Sequence, residues 1–373
     1  MSLHSDVLVV GAGIIGTACA WTLQQEGYRV TLIDAASAGC GVTAAGMGHL
    51  VALDESAQEL ELCLYSLRLW REFLQAFPGT GEHHPCGTLW VAENEAQLAE
   101  AHQRAARLNA HDWQADAISG DQLARLEPAL RKGLAGAVRV QQDSVIYPPA
   151  VAHFLSQQLV AAGGRYLSGR RVQSLAPDHV LLAHGERIHA ARIVVTTGGQ
   201  LSELLPELRV FPRKGHLAIT ERYPGSLQHQ VVSMDYGQSS MRPDGLTVAA
   251  NVQPRPTGQW LIGSCRQDHQ TDTAIDPEAL TAVLNAAMRL LPGLSEMRIL
   301  RAWAGMRPAT ADGHPLIGVH PHHPSIWIAA GHEGLGVTTA WATAHIIADQ
   351  MAGRTPAVHA AHYCPSRFTQ PET

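Results

Sequence analysis

Apolar residues follow two rhythms along this chain. Val7-Leu8-Val9-Val10, Val30-Thr31-Leu32-Ile33 and Arg192-Ile193-Val194-Val195-Thr196-Thr197 are short runs without polar alternation, as expected of strands covered on both faces. Elsewhere the spacing is helical. Leu60, Leu64, Leu67 and Leu74 put an apolar stripe on a helix over roughly 57–77, while Gly16, Ala18 and Ala20 let a helix over 14–26, stopped by Gly27, lie close on a sheet. Ser119-Gly120-Asp121-Gln122 has capping-box spacing before a helix closed at Pro128, and Pro148-Pro149 opens another that Gly163-Gly164 ends. Asp276-Pro277 starts a further helix that stops before Pro292-Gly293, and a last one is expected over 337–351, entered through Gly334-Leu335-Gly336. Short strands flank a hairpin at His184-Gly185, and residues 213–266 are rich in strands and turns, with Asp244-Gly245 and Thr257-Gly258 as turn signals.

This order predicts an α/β fold. The first strand runs directly into Gly11-Ala12-Gly13-Ile14-Ile15-Gly16 and a helix, and the second ends at Asp34, 18 residues beyond Gly16. In a Rossmann-like unit Gly11 permits the tight turn, Gly13 lets a pyrophosphate approach the backbone, and Gly16 brings helix against strand. The helix N-terminus then faces the phosphates, and Asp34 is placed to accept ribose hydroxyls. A strand ending at Gly198-Gly199 would return to the same sheet, so the nucleotide domain is discontinuous. We place it at 1–80, 145–210 and 300–373, with an α+β, mixed-sheet substrate domain at 81–144 and 211–299.

At 373 residues the chain has ample material for two cores, and a net charge of −6 offers no basic footprint for nucleic acid. No apolar run is long enough to span a bilayer, and residues 1–6 are too short and polar for a signal peptide. The expectation is a cytoplasmic protein, peripheral to an inner membrane only through a partner. Six cysteines without a CxxC pair suggest neither a disulfide framework nor a metal cluster, and His320-Pro321-His322-His323-Pro324 reads as a turn rather than a metal site. Lysine occurs only at 132 and 214.

The motif alone leaves nicotinamide and flavin cofactors open. A flavin enzyme also benefits from a positive pole near the reducible end of its ring, and the glycine-entered helix after Gly336 suits that task. The segments Arg301-Ala302-Trp303-Ala304-Gly305-Met306-Arg307-Pro308 and Thr310-Ala311-Asp312-Gly313-His314-Pro315-Leu316-Ile317-Gly318 add specificity. So do Arg213-Lys214-Gly215-His216-Leu217, residues 251–267 and Gly331-His332-Glu333-Gly334-Leu335-Gly336. Together they resemble the FAD-dependent D-amino-acid oxidase and glycine oxidase superfamily over nearly the whole chain, most closely the catalytic subunits of D-hydroxyproline dehydrogenase, opine oxidase and hydrogen cyanide synthase.

The resemblance implies that Gly11, Gly13, Ile14, Ile15, Gly16 and Asp34 bind the ADP half of FAD, with Val172 offering backbone contacts to adenine. It places Thr43, Ala44, Ala45, Gly46 and Met47 under the pyrophosphate and flavin, with Gly198, Gly305, Gly334, Leu335, Gly336 and Val337 lining the same cofactor. Arg307 matches the arginine that clamps a substrate carboxylate, a task suited to a planar guanidinium. Glycine-oxidase-like members often carry a second arginine where this chain has Gly334, so the carboxylate would rest on Arg307 with His332 or Tyr236 assisting. The implied reaction is hydride transfer from an amine-bearing carbon to flavin N5, giving an imine, with a D-hydroxyproline- or D-proline-type acid expected first and glycine or an opine as alternatives. Oxygen, a respiratory chain or a companion subunit would accept the electrons, Lys214 being the candidate for assisting oxygen. Both homo- and hetero-oligomers fit, and a flavin-bearing electron-transfer or assembly subunit is the alternative to a self-sufficient enzyme.

Overall fold

A computed structural model describes residues 5–234, 245–268 and 270–368. Two eight-stranded sheets organise them. The main path of the first runs Leu316–Val319, Ile326–Ala330, Arg187–Val195, Ser5–Val10, Val30–Ile33, Arg165–Leu167, and is parallel except for its first pair. Val172–Ala176 and His179–Leu182 extend it as an antiparallel meander off Arg187–Val195. The hairpin strand and the buried strand expected separately around 185–197 are therefore one continuous strand.

Why the central strands carry no polar alternation is visible in their packing. Val7 and Val9 face a layer that includes Ala18, Leu23 and Ile346, whereas Leu8 and Val10 face Val180, Ile188, Leu205 and Leu208. Both faces are dry, so every position must be apolar. The first layer holds the helices Ile14–Gln25, Ala57–Ala76 and Pro148–Ala161 at or close to the expected bounds, with Ser56 capping the second and Gly27 (φ 90°) following the first. The last helix differs from expectation. It begins at Ala340 rather than Val337, because Glu333–Leu335 form a separate 3-10 turn and the chain turns again before Thr339.

The second sheet runs Ile299–Ala309, Phe211–Thr220, Trp260–Gln267, Leu246–Pro254, Gln230–Ser233, Thr88–Ala92, Gly136–Val140, Ala115–Ser119. All pairs are antiparallel except Gln230–Ser233 with Thr88–Ala92. The helix Pro277–Leu290, capped by Asp276, packs Ala279, Val283, Ala287 and Leu290 onto it. Residues 300–309 thus pair within this second sheet before the chain returns to the first. The capping box at Ser119 forms as expected and opens Gly120–Leu126.

Candidate active site

A cavity of about 690 Å³ opens beyond the carboxyl ends of the first sheet's central strands and reaches one face of the second sheet. Ligands of open α/β sheets bind at this position. Its first wall is the opening turn. Gly11 has φ 108°, and a Cβ there would stand 2.8 Å from the Thr196 carbonyl oxygen; at Gly16 a Cβ would collide with the Gly11 carbonyl and the Thr196 hydroxyl. That hydroxyl donates to the Val10 and Gly11 carbonyls, both at 2.9 Å, and so fixes the turn against the neighbouring strand. No side chain of its cap residue covers the start of the first helix and no acid lies in its first turn, which leaves its positive end directed at the cavity.

Asp34 accepts the Ala12 N–H at 2.6 Å and the Ala36 N–H at 2.7 Å, which orients the carboxylate at the cavity wall. Thr43 accepts the Ile14 N–H at 3.0 Å and ties the short helix Val42–Ala45 to the glycine turn. Gly13, Ile14, Ile15, Asp34, Thr43, Ala45, Gly46, Met47, Val172 and Gly198 line the cavity, as do Gly305, Arg307, His332, Gly334, Gly336 and Val337. Gly16, Ala44 and Leu335 are outside the lining: Gly16 acts through packing, and Leu335 leans on the helix-layer core. Tyr236 falls outside the described residues.

A flat, elongated cofactor fits this cradle. Two of its wall groups, the Thr197 hydroxyl and the Nδ1 of His49, are buried polar atoms with no hydrogen-bond partner among the described residues. Buried polar atoms of this kind call for a ligand or water. The expected helix dipole at the far end is replaced by backbone of the Glu333–Leu335 turn and the residues after it, since no residue of the last helix lines the cavity. In that helix the Ala342 N–H is already given to the Ser66 hydroxyl at 3.1 Å.

The far end carries the charges. Arg307 lies on the strand Ile299–Ala309, where the facing residues Arg213 and Gly215 pair with Arg307 and Gly305. Its Nη2 donates to the Cys265 carbonyl at 2.7 Å and occupies the space a side chain at Gly215 would take. Its Nη1 lies 3.4 Å from Glu333 Oε1. Burial alone would raise the Glu333 carboxyl, but Arg307, Arg266 and Arg213 together hold it down at about 2, so it is ionised. His332 is also buried; desolvation pushes its ring down to about 3, and its Nε2 meets the Thr343 hydroxyl at 2.9 Å. His49 is similarly driven to about 4, chiefly by burial. Both imidazoles are neutral at physiological pH. Lys214 does not reach the cavity: it bonds Asp272 at 3.1 Å, while Gly215 and Leu217 form the wall. Sequence reasoning missed Glu333 and His49. Glu333 was visible as the one acid in a glycine-rich loop, whereas nothing around His49 in sequence marked it.

The comparisons agree with this architecture. The family described as DAO, FAD dependent oxidoreductase, matches residues 6–350, and the chain belongs to it. Its cofactor is therefore FAD. Glycine oxidase of Bacillus licheniformis is 26% identical over 95% of this chain and 94% of its own length. An opine oxidase subunit of Rhizobium meliloti is 23% identical, covering 93% of each chain. The crystal structure of L-proline dehydrogenase from P. horikoshii superposes with a TM-score of 0.88 at 20% identity, covering 99% of both chains, a likeness of fold. Among the described residues no helix is long and apolar enough to cross a membrane.

Proposed function

We propose that this protein oxidises a small amino or imino acid at the carbon next to nitrogen, with a D-hydroxyproline- or D-proline-type acid first among candidates and glycine or an opine next. The observation that carries this reading is the Arg307 guanidinium, set in the cavity wall at the opposite end from the nucleotide cradle and aimed by the Cys265 carbonyl. When bound, FAD supplies a two-electron acceptor for the substrate C–H bond. The chain supplies the rest. Gly11, Gly13 and the first helix would hold the pyrophosphate, Asp34 the ribose, and Val172 the adenine edge. Arg307 would take the substrate carboxylate with two parallel N–H donors and so orient the reacting carbon. His332 and His49, being neutral, add no positive charge beside it.

The names of the relatives support the substrate class, since they include a glycine oxidase and a subunit of an opine oxidase. The test is an anaerobic screen of flavin bleaching with D-amino acids, glycine, sarcosine, D-proline, hydroxyproline isomers and opines. Bleaching by at least one supports the reading; an oxidised flavin throughout sinks it. A second reading, a flavin-bearing electron-transfer or assembly subunit, is favoured by the subunit status of the opine oxidase relative. Size-exclusion of native protein with identification of co-migrating chains separates the two, and a partner would also be the route to any membrane association.

A further inference from the structure

The acid at the substrate end has no evident place beside an arginine meant for a carboxylate. Glu333 is set there by unusual backbone: its φ is 47°, one of three non-glycine residues with positive φ among those described. Such a conformation is costly for a residue with a side chain and persists only where the surroundings enforce it. Arg266 and Arg213 stand behind it, outside the cavity lining, while Glu333 and Arg307 both face the cavity. Its contacts to the arginines are loose. Arg266 Nε lies at 3.3 Å, Arg307 Nη1 at 3.4 Å and Arg213 Nη1 at 3.7 Å from Oε1. By contrast Arg213 reaches Asp268 at 2.6 Å and Arg307 reaches the Cys265 carbonyl at 2.7 Å. Charge-assisted hydrogen bonds are normally about 2.7–2.9 Å, so the strongest donor bonds of Arg213 and Arg307 are spent elsewhere. Oε2 of Glu333 in turn receives Arg266 Nη2 at 3.5 Å, so Glu333 is held ionised by the surrounding charges while no guanidinium among the described residues makes a short bond to either of its oxygens.

An α-amino or imino acid carries opposite charges on adjacent carbons, a separation similar to that between Arg307 Nη1 and Glu333 Oε1. We propose that Glu333 is a specificity-determining residue that receives the substrate's amino nitrogen while Arg307 receives its carboxylate, so that the site selects zwitterions over plain carboxylic acids. The inference rests on the proposed function and adds the recognition of nitrogen to it. A 2-oxo acid, formed once an imine is hydrolysed, has no N–H to offer and meets Glu333 as a like charge. The same carboxylate therefore favours substrate over product.

Isothermal titration of the FAD-loaded protein with 2-aminoisobutyrate, which has an amine and no Cα–H to oxidise, and with isobutyrate, its amine-free counterpart, tests this. The wild type should bind 2-aminoisobutyrate roughly tenfold tighter or more, the size expected of a charged hydrogen bond. Glu333→Gln should bring the two ligands to within about twofold, the aminoacid weakened and isobutyrate bound as well as before or better, and Glu333→Asp should keep part of the preference. Wild-type protein that does not prefer the aminoacid overturns the proposal, and this comparison decides by itself should the Gln variant fail to fold. A Gln variant that weakens both ligands by one factor overturns it too, since that is the result of merely unsettling Arg307. Failure of the proposed function reads out separately, as a flavin that no compound in the screen reduces.

Discussion

In the proposed function, substrate affinity turns on Arg307. Its Nη2 is anchored on the Cys265 carbonyl and its Nη1 borders Glu333, so the guanidinium plane is set before a ligand arrives. Replacing it by alanine should raise KM by roughly 10²-fold while flavin content, read from absorbance per protein, is unchanged. An unaltered KM would remove Arg307 from the site. At the glycine turn, Thr43→Val deletes the acceptor of the Ile14 N–H. Losing one such bond costs about 1 kcal/mol, so FAD should bind about fivefold more weakly in a fluorescence titration. Equal affinity would show that the tie to Val42–Ala45 is dispensable.

Among the elements, the strand, glycine turn and first helix form the part of the molecule least tolerant of added atoms. Gly16→Ala drives a methyl group into the Gly11 carbonyl and the Thr196 hydroxyl, both fixed by neighbouring strands. The turn must open, and the variant should purify without flavin and melt well below the wild type; full FAD occupancy at wild-type Tm would refute this packing. The turn was legible in sequence because it is local: three glycines, a strand before, a helix after and an acid at fixed spacing. The start of the last helix was not. Periodicity extends back to Val337, but Val337 and Thr338 give their carbonyls to the Trp70 indole N–H, and Thr338 donates to the His49 carbonyl at 3.0 Å. Tertiary partners for these groups shift the helix start to Ala340. Lys214 makes a similar point, since its motif brings the strand to the cavity but the strand's alternation sends this side chain to Asp272.

The whole molecule responds to pH through buried groups of opposite sense. His49 and His332, depressed to about 4 and about 3, stay neutral in the fold while the unfolded chain takes up protons below about 6.5, so their contribution to stability is lost on acidification. Burial raises Asp143 to about 7, so the folded state holds a proton the unfolded state releases, and its contribution is lost as pH rises towards 7. Between pH 7 and 5 these slopes oppose each other. Asp143→Asn should remove one of them and make stability fall more steeply on acidification, by up to about 1.4 kcal/mol per pH unit, in Tm or denaturant curves at pH 5, 6 and 7. Parallel curves for variant and wild type would discount Asp143. At this scale too, oxidase and dehydrogenase modes part: turnover with oxygen against turnover with an artificial dye reads which acceptor reoxidises the reduced cofactor faster. With Lys214 held by Asp272, away from the cavity, we expect the dye to be the better acceptor. Faster turnover with oxygen would contradict that.

Taken by itself, the amino-acid order determined the glycine turn and the acid that closes on it, most helix bounds, and the family to which the chain belongs. These depend on neighbours a few residues apart, whose steric and hydrogen-bonding rules act within a turn or a strand. Only the tertiary structure decided which charges meet. Arg213, Arg266, Arg307 and Glu333 come from different strands and a turn, and they gather because the second sheet pairs Arg213 opposite Arg307 and lays Trp260–Gln267 alongside. Coulomb forces follow distance in space, and the folding of the two sheets against one cavity sets that distance.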